Sequence, residues 1–371
     1  MIWYYIPLIP LLFGMIIPKK NVHIHNKIIF QSDRFYLWIF LLIIFILTGF
    51  KGNIDPDYQN YLFYYNVIPK YEDLNTLNLE AIKNITSNVE LSVIYGMAFL
   101  KSFGLGFQYY YILSALIIVI LISKVASYFI GKECIVGLVL YCFYIQPFFI
   151  QVRFFGGALC GIICILEFYA RNKINIKVML YFLIGLFLHT VVVFAIPLLL
   201  GKYIYAIVRK HLLLVFLLPT LFSIINIDSI LQYTPMISDR YVNYLNAASS
   251  QKELGSIFSF LIRECIAIFL IIMFALSNRY SAEVLCETKQ SKPMILVLLA
   301  MLCVWALAWQ FGMLYRVALM FELGWLLFLI QRKKTFSFYS SWGVLLPYMI
   351  FRLYIGLAEL RPFEFANEWI Y

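Results

Sequence analysis

The feature that most constrains the fold is a succession of long apolar runs separated by short polar segments. A helix needs about 20 mostly apolar residues to cross a bilayer. Of the 371 residues, 63% are hydrophobic and 13% are charged, whereas about 25% are charged in soluble domains. This pattern excludes an ordinary soluble enzyme, a disordered chain and a nucleic-acid-binding protein. The apolar runs cover residues 1–17, 35–50, 107–123, 134–150, 154–170, 178–200, 212–225, 256–276, 294–311, 315–330 and 342–357.

The charges between the runs indicate an orientation. Cytoplasmic loops of membrane proteins collect Lys and Arg, so the formal net charge of +10 is first of all an orientation signal. We expect both termini on the outer side. The basic, cytoplasmic segments are 18–34, 171–177, 201–211 and 331–341. The net acidic, outer segments are 51–90, 226–255 and 358–371.

The run 178–200 is basic at both flanks, so both of its ends belong on the cytoplasmic side. We interpret it as two half-length helices that meet near residues 188–190, and a single crossing is the alternative. Irregular backbone at membrane depth needs protein or a water-filled cavity around it. Residues 91–104 are also apolar, and we expect them to form an interfacial helix on the outer side.

These assignments predict an all-α polytopic integral membrane protein with a single membrane domain over residues 1–371. It has about ten transmembrane helices, a re-entrant helix pair at 178–200 and two longer outer loops with short helices. The first outer loop covers residues 51–106 and the second covers 226–255.

Several arginines lie at or near the outer ends of the predicted helices, where the positive-inside rule should remove them. An anionic partner such as a polyprenyl pyrophosphate would explain them, since one guanidinium group can bind two phosphate oxygens at once. The alternative is internal pairing, for example of Arg263 with a carboxylate on a neighbouring helix. The four arginines that we predict to bind pyrophosphate are Arg153, Arg263, Arg316 and Arg352. Arg240, in the second outer loop, is a candidate sugar-binding residue.

The first outer loop carries a second group of polar candidates. Asp55 precedes Pro56, which suits the first position of a helix, so Asp55 is more readily an N-cap than a catalyst. Tyr58, Tyr61 and Tyr65 then share one helical face. Such a face offers sugars apolar rings and hydroxyl groups, although tyrosine is also common at membrane interfaces.

A general base is expected among three outer-side groups: Asp57, Glu90 and His189. A base must reach the acceptor hydroxyl and have a suitable pKa, and the sequence distinguishes none of the three on these grounds. A packed core histidine is the alternative for His189. No metal site, P-loop or dinucleotide motif is present in the sequence.

The chain resembles the EpsG/Wzy group of polysaccharide polymerases on four short motifs. The segment from Ile54 to Tyr61 is similar to that family's Gly-Thr-Asp-Tyr-x-x-Tyr motif, with Lys51 where an Arg is usual. Glu90 matches a Glu before an apolar segment. The other two matches are an Ile-Arg-Gln-Gly-x-Ala motif at 152–158, where Phe154 replaces the Gln, and a Phe-His motif at 187–189.

The resemblance implies a reaction at the outer face of the bacterial inner membrane. Such enzymes transfer a growing glycan from undecaprenyl pyrophosphate to an undecaprenyl-pyrophosphate-linked repeat unit, so lipid-linked donor and acceptor oligosaccharides are the expected partners. No cofactor is implied, because the lipid pyrophosphate is already an activated leaving group. A chain-length regulator is a further candidate partner. The alternatives are another GT-C-like membrane glycosyltransferase, an O-antigen ligase and, from a different class, a lipid-linked oligosaccharide flippase.

Overall fold

The structure is a computed structural model that describes residues 1–17, 21–24, 27–74, 82–83, 85–86, 89–224, 254–277, 285, 288–308, 314–331 and 336–366. In this part of the chain, six helices are long and apolar enough to cross a membrane, judged by length and composition. The prediction of a largely helical chain with several helices that could cross a membrane is therefore confirmed. The six candidate spans are Ser32–Gly49, Gln108–Ala126, Val152–Arg171, Ile257–Ser277, Ser291–Ala308 and Phe336–Ala358.

The other apolar runs form shorter or interrupted helices. The run 134–150 is interrupted at Tyr144, and the helix resumes one residue later. Pro147 lies near the start of this second helix, where its missing N–H costs no internal hydrogen bond. The run 178–200 is interrupted at His189, which is extended. This break lies where the sequence predicts one, while the re-entrant path itself stays a prediction.

Helices in the first half of the chain are numbered from the N-terminus as follows. They are α1 (Leu8–Ile16), α2 (Ser32–Gly49), α3 (Tyr58–Val67), α4 (Leu91–Ser102), α5 (Gln108–Ala126), α6 (Glu133–Phe143), α7 (Ile145–Phe149), α8 (Val152–Arg171) and α9 (Ile176–Leu188). Single 3-10 turns cover Ile2–Tyr4 and Tyr71–Asp73, and a 3-10 helix covers Thr190–Ala195.

The numbering continues through the second half. The helices are α10 (Ile196–Leu200), α11 (Tyr205–Lys210), α12 (Leu212–Ile224), α13 (Leu254–Ser277), α14 (Ser291–Ala308), α15 (Leu314–Met320), α16 (Leu326–Leu329) and α17 (Phe336–Ala358). Two 3-10 segments, Gly201–Tyr203 and Glu322–Trp325, join them. Residues 226–253 of the predicted second outer loop lie outside the described residues.

One short β-hairpin adds to the predicted all-α class. Strand β1 (Asn21–Ile24) pairs antiparallel with β2 (Lys27–Gln31), and the register shifts between Val22 and His23. The β-branched residues Val22, Ile24, Ile28 and Ile29 favour strands. The sequence interpretation treated this segment only as a basic loop and missed the hairpin.

The chain divides into two compact units. The first comprises residues 1–167, 174–193 and 349–371, and the second comprises 168–173 and 194–348. In the first unit, α2 packs against α1, α5 and α6, while α4 contacts α3, α5 and α9. Residues 154–167 of α8 are buried without interruption. The helices of this unit bring the start of α4, the start of α8 and the end of α9 together.

The second unit is organised around α14, which contacts α12, α13, α15 and the 3-10 segment Glu322–Trp325. Gly324 makes this last contact possible. A Cβ atom there would lie 2.6 Å from the backbone N and Cα of Leu298, closer than van der Waals contact allows. The chain therefore needs glycine where the 3-10 segment crosses α14.

Candidate functional site

Three ionisable side chains meet in the first unit. The Glu90 carboxylate bridges the other two: its Oε2 contacts Nη1 of Arg153, and its Oε1 lies 3.5 Å from Nε2 of His189. The side chains of Arg153, Glu90 and His189 are 20%, 27% and 24% exposed, respectively. The three side chains are thus partly buried. Together with Tyr61 we call these residues the Arg153 cluster.

The three ionisable residues each lie at a helix end or helix break. Glu90 is the extended residue before α4, and Arg153 is the second residue of α8. His189 directly follows α9, where the chain leaves the helix. Helix ends leave backbone groups unpaired and side chains free to point away from the helix axis, so these positions suit functional groups better than helix interiors.

A pair of glycines brings the α9 break close to α8. A Cβ atom on Gly157 would lie 2.9 Å from Cβ of His189 and 3.0 Å from its carbonyl oxygen, and one on Gly156 would lie 3.0 Å from a Leu188 methyl carbon. The Ser92 hydroxyl donates to the Leu188 carbonyl oxygen at 3.4 Å. Small residues on α8 therefore set the distance between His189 and Arg153.

The hydrogen bonds of His189 fix its tautomer. The backbone N–H of Val191 donates to Nδ1 at 3.1 Å, so Nδ1 acts as an acceptor and the proton of the neutral ring is on Nε2. Nε2 is the ring nitrogen that lies 3.5 Å from Oε1 of Glu90. Phe154 stacks edge-on against the imidazole, with 5.6 Å between ring centroids. In this arrangement the Glu90 carboxylate lies between the guanidinium of Arg153 and the imidazole of His189.

Tyr61 holds Arg153 from the other side. The Nε–H of Arg153 donates to the Tyr61 hydroxyl at 2.7 Å, and the guanidinium carbon lies 5.0 Å from the Tyr61 ring centroid. Tyr61 is buried against Tyr110 and Tyr111. Burial raises the pKa of Tyr61 to about 12, against a smaller lowering by Arg153. The hydroxyl therefore stays protonated and serves as a fixed acceptor for Arg153.

A buried ion pair lies at the base of the first outer loop. Nζ of Lys51 lies 3.1 Å from Oδ2 of Asp55, and the two side chains are 0% and 1% exposed. Lys51 also donates to the Phe149 carbonyl oxygen and lies 4.3 Å from the Tyr111 ring centroid. Desolvation lowers the pKa of Lys51 and raises the pKa of Asp55, while their mutual attraction opposes both shifts.

The C-terminal segment contacts the start of the first outer loop through backbone hydrogen bonds. Gly52 N–H donates to the Glu364 carbonyl at 2.7 Å, and Ala366 N–H donates to the Phe50 carbonyl at 3.0 Å. Lys51 and Phe365 form an isolated β-bridge. Sequence analysis treated residues 358–371 only as an outer acidic segment and gave no sign of this contact.

The start of α3 differs from the prediction. The helix begins at Tyr58 rather than at Pro56, and Asp57 is its N-cap residue without a side-chain capping bond. Oδ1 of Asp55 instead accepts the N–H of Asp57 at 2.8 Å. The N-cap prediction for Asp55 was wrong by two residues, because its carboxylate is drawn inward to the buried ammonium of Lys51.

The predicted sugar-binding face is largely turned inward. Tyr58 is 7% exposed and stacks with Tyr111, and Tyr61 is 5% exposed. Tyr65 is half-buried, and its hydroxyl donates to the Leu105 carbonyl at 2.6 Å. Asp57 is exposed. The role of these tyrosines as sugar ligands stays a prediction.

The four predicted pyrophosphate-binding arginines are divided between the units. Arg153 and Arg352 belong to the first unit, and Arg263 and Arg316 to the second. Nε of Arg352 is buried and has no hydrogen-bond partner in the described part of the chain. Arg316 is exposed. Arg240 lies outside the described residues.

Arg263 is bound internally. Its Nε and Nη2 donate to Oε1 of Glu322 at 3.0 and 2.9 Å, and its Nη1 donates to the Ser259 carbonyl. The guanidinium carbon lies 3.8 Å from the Trp305 ring centroid, and Trp325 donates to the other oxygen of Glu322. This is the internal pairing that the sequence left open as the alternative. The charge of Arg263 is already matched in this network.

The Arg153 cluster combines a cation that can hold phosphate oxygens, a carboxylate and an imidazole. These are the groups needed to bind an anionic leaving group and to accept a proton from an attacking hydroxyl. In the described ranges, no group of three or more His, Cys, Asp or Glu side chains is placed to hold a metal ion. In the sequence, the adjacent glycines Gly156 and Gly157 are the signal that could have predicted this close helix approach.

Comparison with protein families shows that the model of the EpsG family matches residues 34–360. The matched segment covers most of the chain and includes the whole Arg153 cluster. Comparison with curated proteins and comparison with solved structures gave no match.

Proposed function

The chain belongs to the EpsG family, and from this we propose that it polymerises lipid-linked oligosaccharide repeat units. In this proposal the growing glycan is transferred from undecaprenyl pyrophosphate to a repeat unit that is itself linked to undecaprenyl pyrophosphate. The observation that carries the proposal is the Arg153 cluster. A guanidinium, a carboxylate and an imidazole from three separate helices meet at a partly exposed position in the first unit.

The donor pyrophosphate would bind to Arg153. A guanidinium stays charged and binds phosphate oxygens through paired N–H groups, and Tyr61 fixes the orientation of this side chain. As the glycosidic bond breaks, negative charge grows on the departing pyrophosphate, and Arg153 stabilises it electrostatically. Arg352 is the second candidate, because its buried Nε has no hydrogen-bond partner in the described part of the first unit.

Glu90 would receive the proton in the transfer step. The acceptor hydroxyl oxygen forms a bond to the anomeric carbon of the donor, and the bond from that carbon to the pyrophosphate oxygen breaks. The electron pair leaves with undecaprenyl pyrophosphate, and the hydroxyl proton passes to the Glu90 carboxylate. His189, held by Val191 at Nδ1, keeps Glu90 in place through its Nε2–H.

We place this reaction at the outer face of the bacterial inner membrane. Six candidate spans and further short apolar helices support a multi-pass protein. The outer position depends on the predicted topology of about ten crossings and the re-entrant path at 178–200. In that topology the first outer loop and the break at His189 reach the same side.

Complementation of a deletion strain tests the function. We expect deletion to remove long glycan ladders while a single-repeat band remains, and the wild-type gene to restore the ladder. Loss of all repeats from the core lipid would indicate a ligase instead. Accumulation of repeat units on the cytoplasmic leaflet would indicate a flippase, and either result would overturn the proposal.

A further inference from the structure

We propose that Glu90 occupies the phosphate position on Arg153, so that pyrophosphate binding and release of the catalytic carboxylate are one event. This inference rests on the proposed function and adds an order of events to it. It comes from the way the N–H groups of a single guanidinium are distributed among its neighbours.

A guanidinium offers two edges for bidentate binding, one formed by Nε and Nη2 and one by Nη1 and Nη2. In Arg153 the Nε–H is engaged by the Tyr61 hydroxyl, and Nη1 contacts Glu90. Each edge therefore includes one nitrogen that already has a partner. A phosphate that binds Arg153 along either edge therefore meets Tyr61 at Nε or the negative charge of Glu90 beside Nη1, and that charge repels it.

Glu90 is the partner that can yield. Tyr61 is 5% exposed and is fixed by contacts with Tyr110 and Tyr111. Glu90 is 27% exposed and precedes α4 in extended backbone, with no side-chain capping bond to that helix. The Glu90 side chain can rotate away from Arg153 without any rearrangement of the core. Moving the Tyr61 hydroxyl away from Arg153 would require the buried tyrosine ring to shift.

The displaced carboxylate keeps one partner, because its Oε1 already faces Nε2 of His189. Away from the guanidinium, the carboxylate no longer has a positive charge beside it, and a carboxylate without such a neighbour accepts a proton more readily. Donor binding would thus prepare the base. A hydroxyl would be deprotonated only when a pyrophosphate leaving group is in place.

The test is calorimetric titration of the purified full chain in nanodiscs with inorganic pyrophosphate. If Glu90 competes with phosphate, Glu90→Gln removes the competing charge, keeps the side-chain shape and tightens binding by about three- to tenfold. Glu72→Gln is the matched control, since Glu72 is an exposed carboxylate of the same outer segment. We expect it to leave the affinity unchanged, and circular dichroism shows whether each variant is folded.

The outcomes separate the two proposals. Unchanged or weaker binding in Glu90→Gln, with binding still lost in Arg153→Gln, would overturn the competition and leave the pyrophosphate site intact. Equal pyrophosphate affinity in wild type and Arg153→Gln would instead show that Arg153 does not bind pyrophosphate, and would overturn the proposed site. Equal tightening in Glu72→Gln would assign the effect to general surface charge and would also overturn the competition.

Discussion

At the scale of single residues, Lys51 and Asp55 show how a polar motif supports a site without touching the reacting groups. The two side chains are buried together beneath the first outer loop, and Lys51 lies over the ring of Tyr111. Tyr111 in turn packs against Tyr61, which holds Arg153. The ion pair is therefore connected to Arg153 through two aromatic rings, those of Tyr111 and Tyr61.

Lys51→Met tests this support. The change leaves the Asp55 charge buried and unpaired, which typically costs about 3–5 kcal/mol in free energy of unfolding. We expect a clearly lower thermal unfolding temperature for the protein in detergent. Adding Asp55→Asn should recover part of the loss, because no buried charge remains and the amide oxygen still accepts the Asp57 N–H.

The control for this variant is Lys70→Met, which removes an exposed lysine of the same outer segment. Surface substitutions of this kind usually change stability by less than about 0.5 kcal/mol. An unfolding temperature of Lys51→Met equal to that of Lys70→Met would contradict the supporting role of the pair.

The sequence identified Arg153, Glu90 and His189 individually, because ionisable residues are costly beside apolar runs. It did not identify their pairing, since Glu90 and His189 are far apart in sequence and meet only when α4 and α9 pack together. It also gave Asp55 the wrong partner. Capping preferences are local, whereas the buried ammonium that binds this carboxylate depends on tertiary packing.

At the scale of elements, the crossing of α8 with the break after α9 sets the geometry of the site. Six long helices were predictable from runs of apolar residues of nearly the length that a bilayer requires. The interruptions at Tyr144 and at Phe321 were not predictable in this way. Both lie within continuous apolar runs, where hydropathy alone does not distinguish one helix from two.

Gly157→Ala tests the helix crossing. The added methyl group would lie 2.9 Å from Cβ of His189 and 3.0 Å from its carbonyl oxygen, so α8 and the break must move apart. We expect at least a tenfold loss of transfer activity, because displacement of a catalytic group by about 1 Å costs roughly 100-fold. The initial rate of repeat-unit transfer measures it.

Gly343→Ala is the control for this change. Gly343 lies in α17, and a Cβ atom there meets nothing within 4 Å. An alanine is intrinsically favourable in a helix, so activity should be retained. Full activity in Gly157→Ala would show that the distance between α8 and His189 does not matter for the reaction.

At the scale of the whole molecule, the orientation of the chain decides which leaflet supplies the substrate. The sequence predicts the cytoplasmic side for residues 201–211 from their basic charge, and this requires a re-entrant path at 178–200. The structure shows the break at His189 and a separate 3-10 helix after it. Side of the membrane is a property of the charge distribution and the insertion process, and helix packing alone does not specify it.

A cysteine at Tyr203 tests the orientation. Tyr203 is 73% exposed on the protein surface and lies in the basic segment, and we introduce Tyr203→Cys in a background without native cysteines. We expect no reaction with a membrane-impermeant maleimide added to intact spheroplasts, and reaction after permeabilisation. Labelling of intact spheroplasts would favour a single crossing and place this segment outside.

The most direct test of the account is transfer by the purified protein in nanodiscs supplied with undecaprenyl-pyrophosphate-linked repeat units. We predict that the wild-type chain builds a ladder of multiple repeats and that Arg153→Gln, folded to the same extent by circular dichroism, leaves single repeats only. A ladder of wild-type length from Arg153→Gln would contradict the claim that Arg153 holds the leaving pyrophosphate in this reaction.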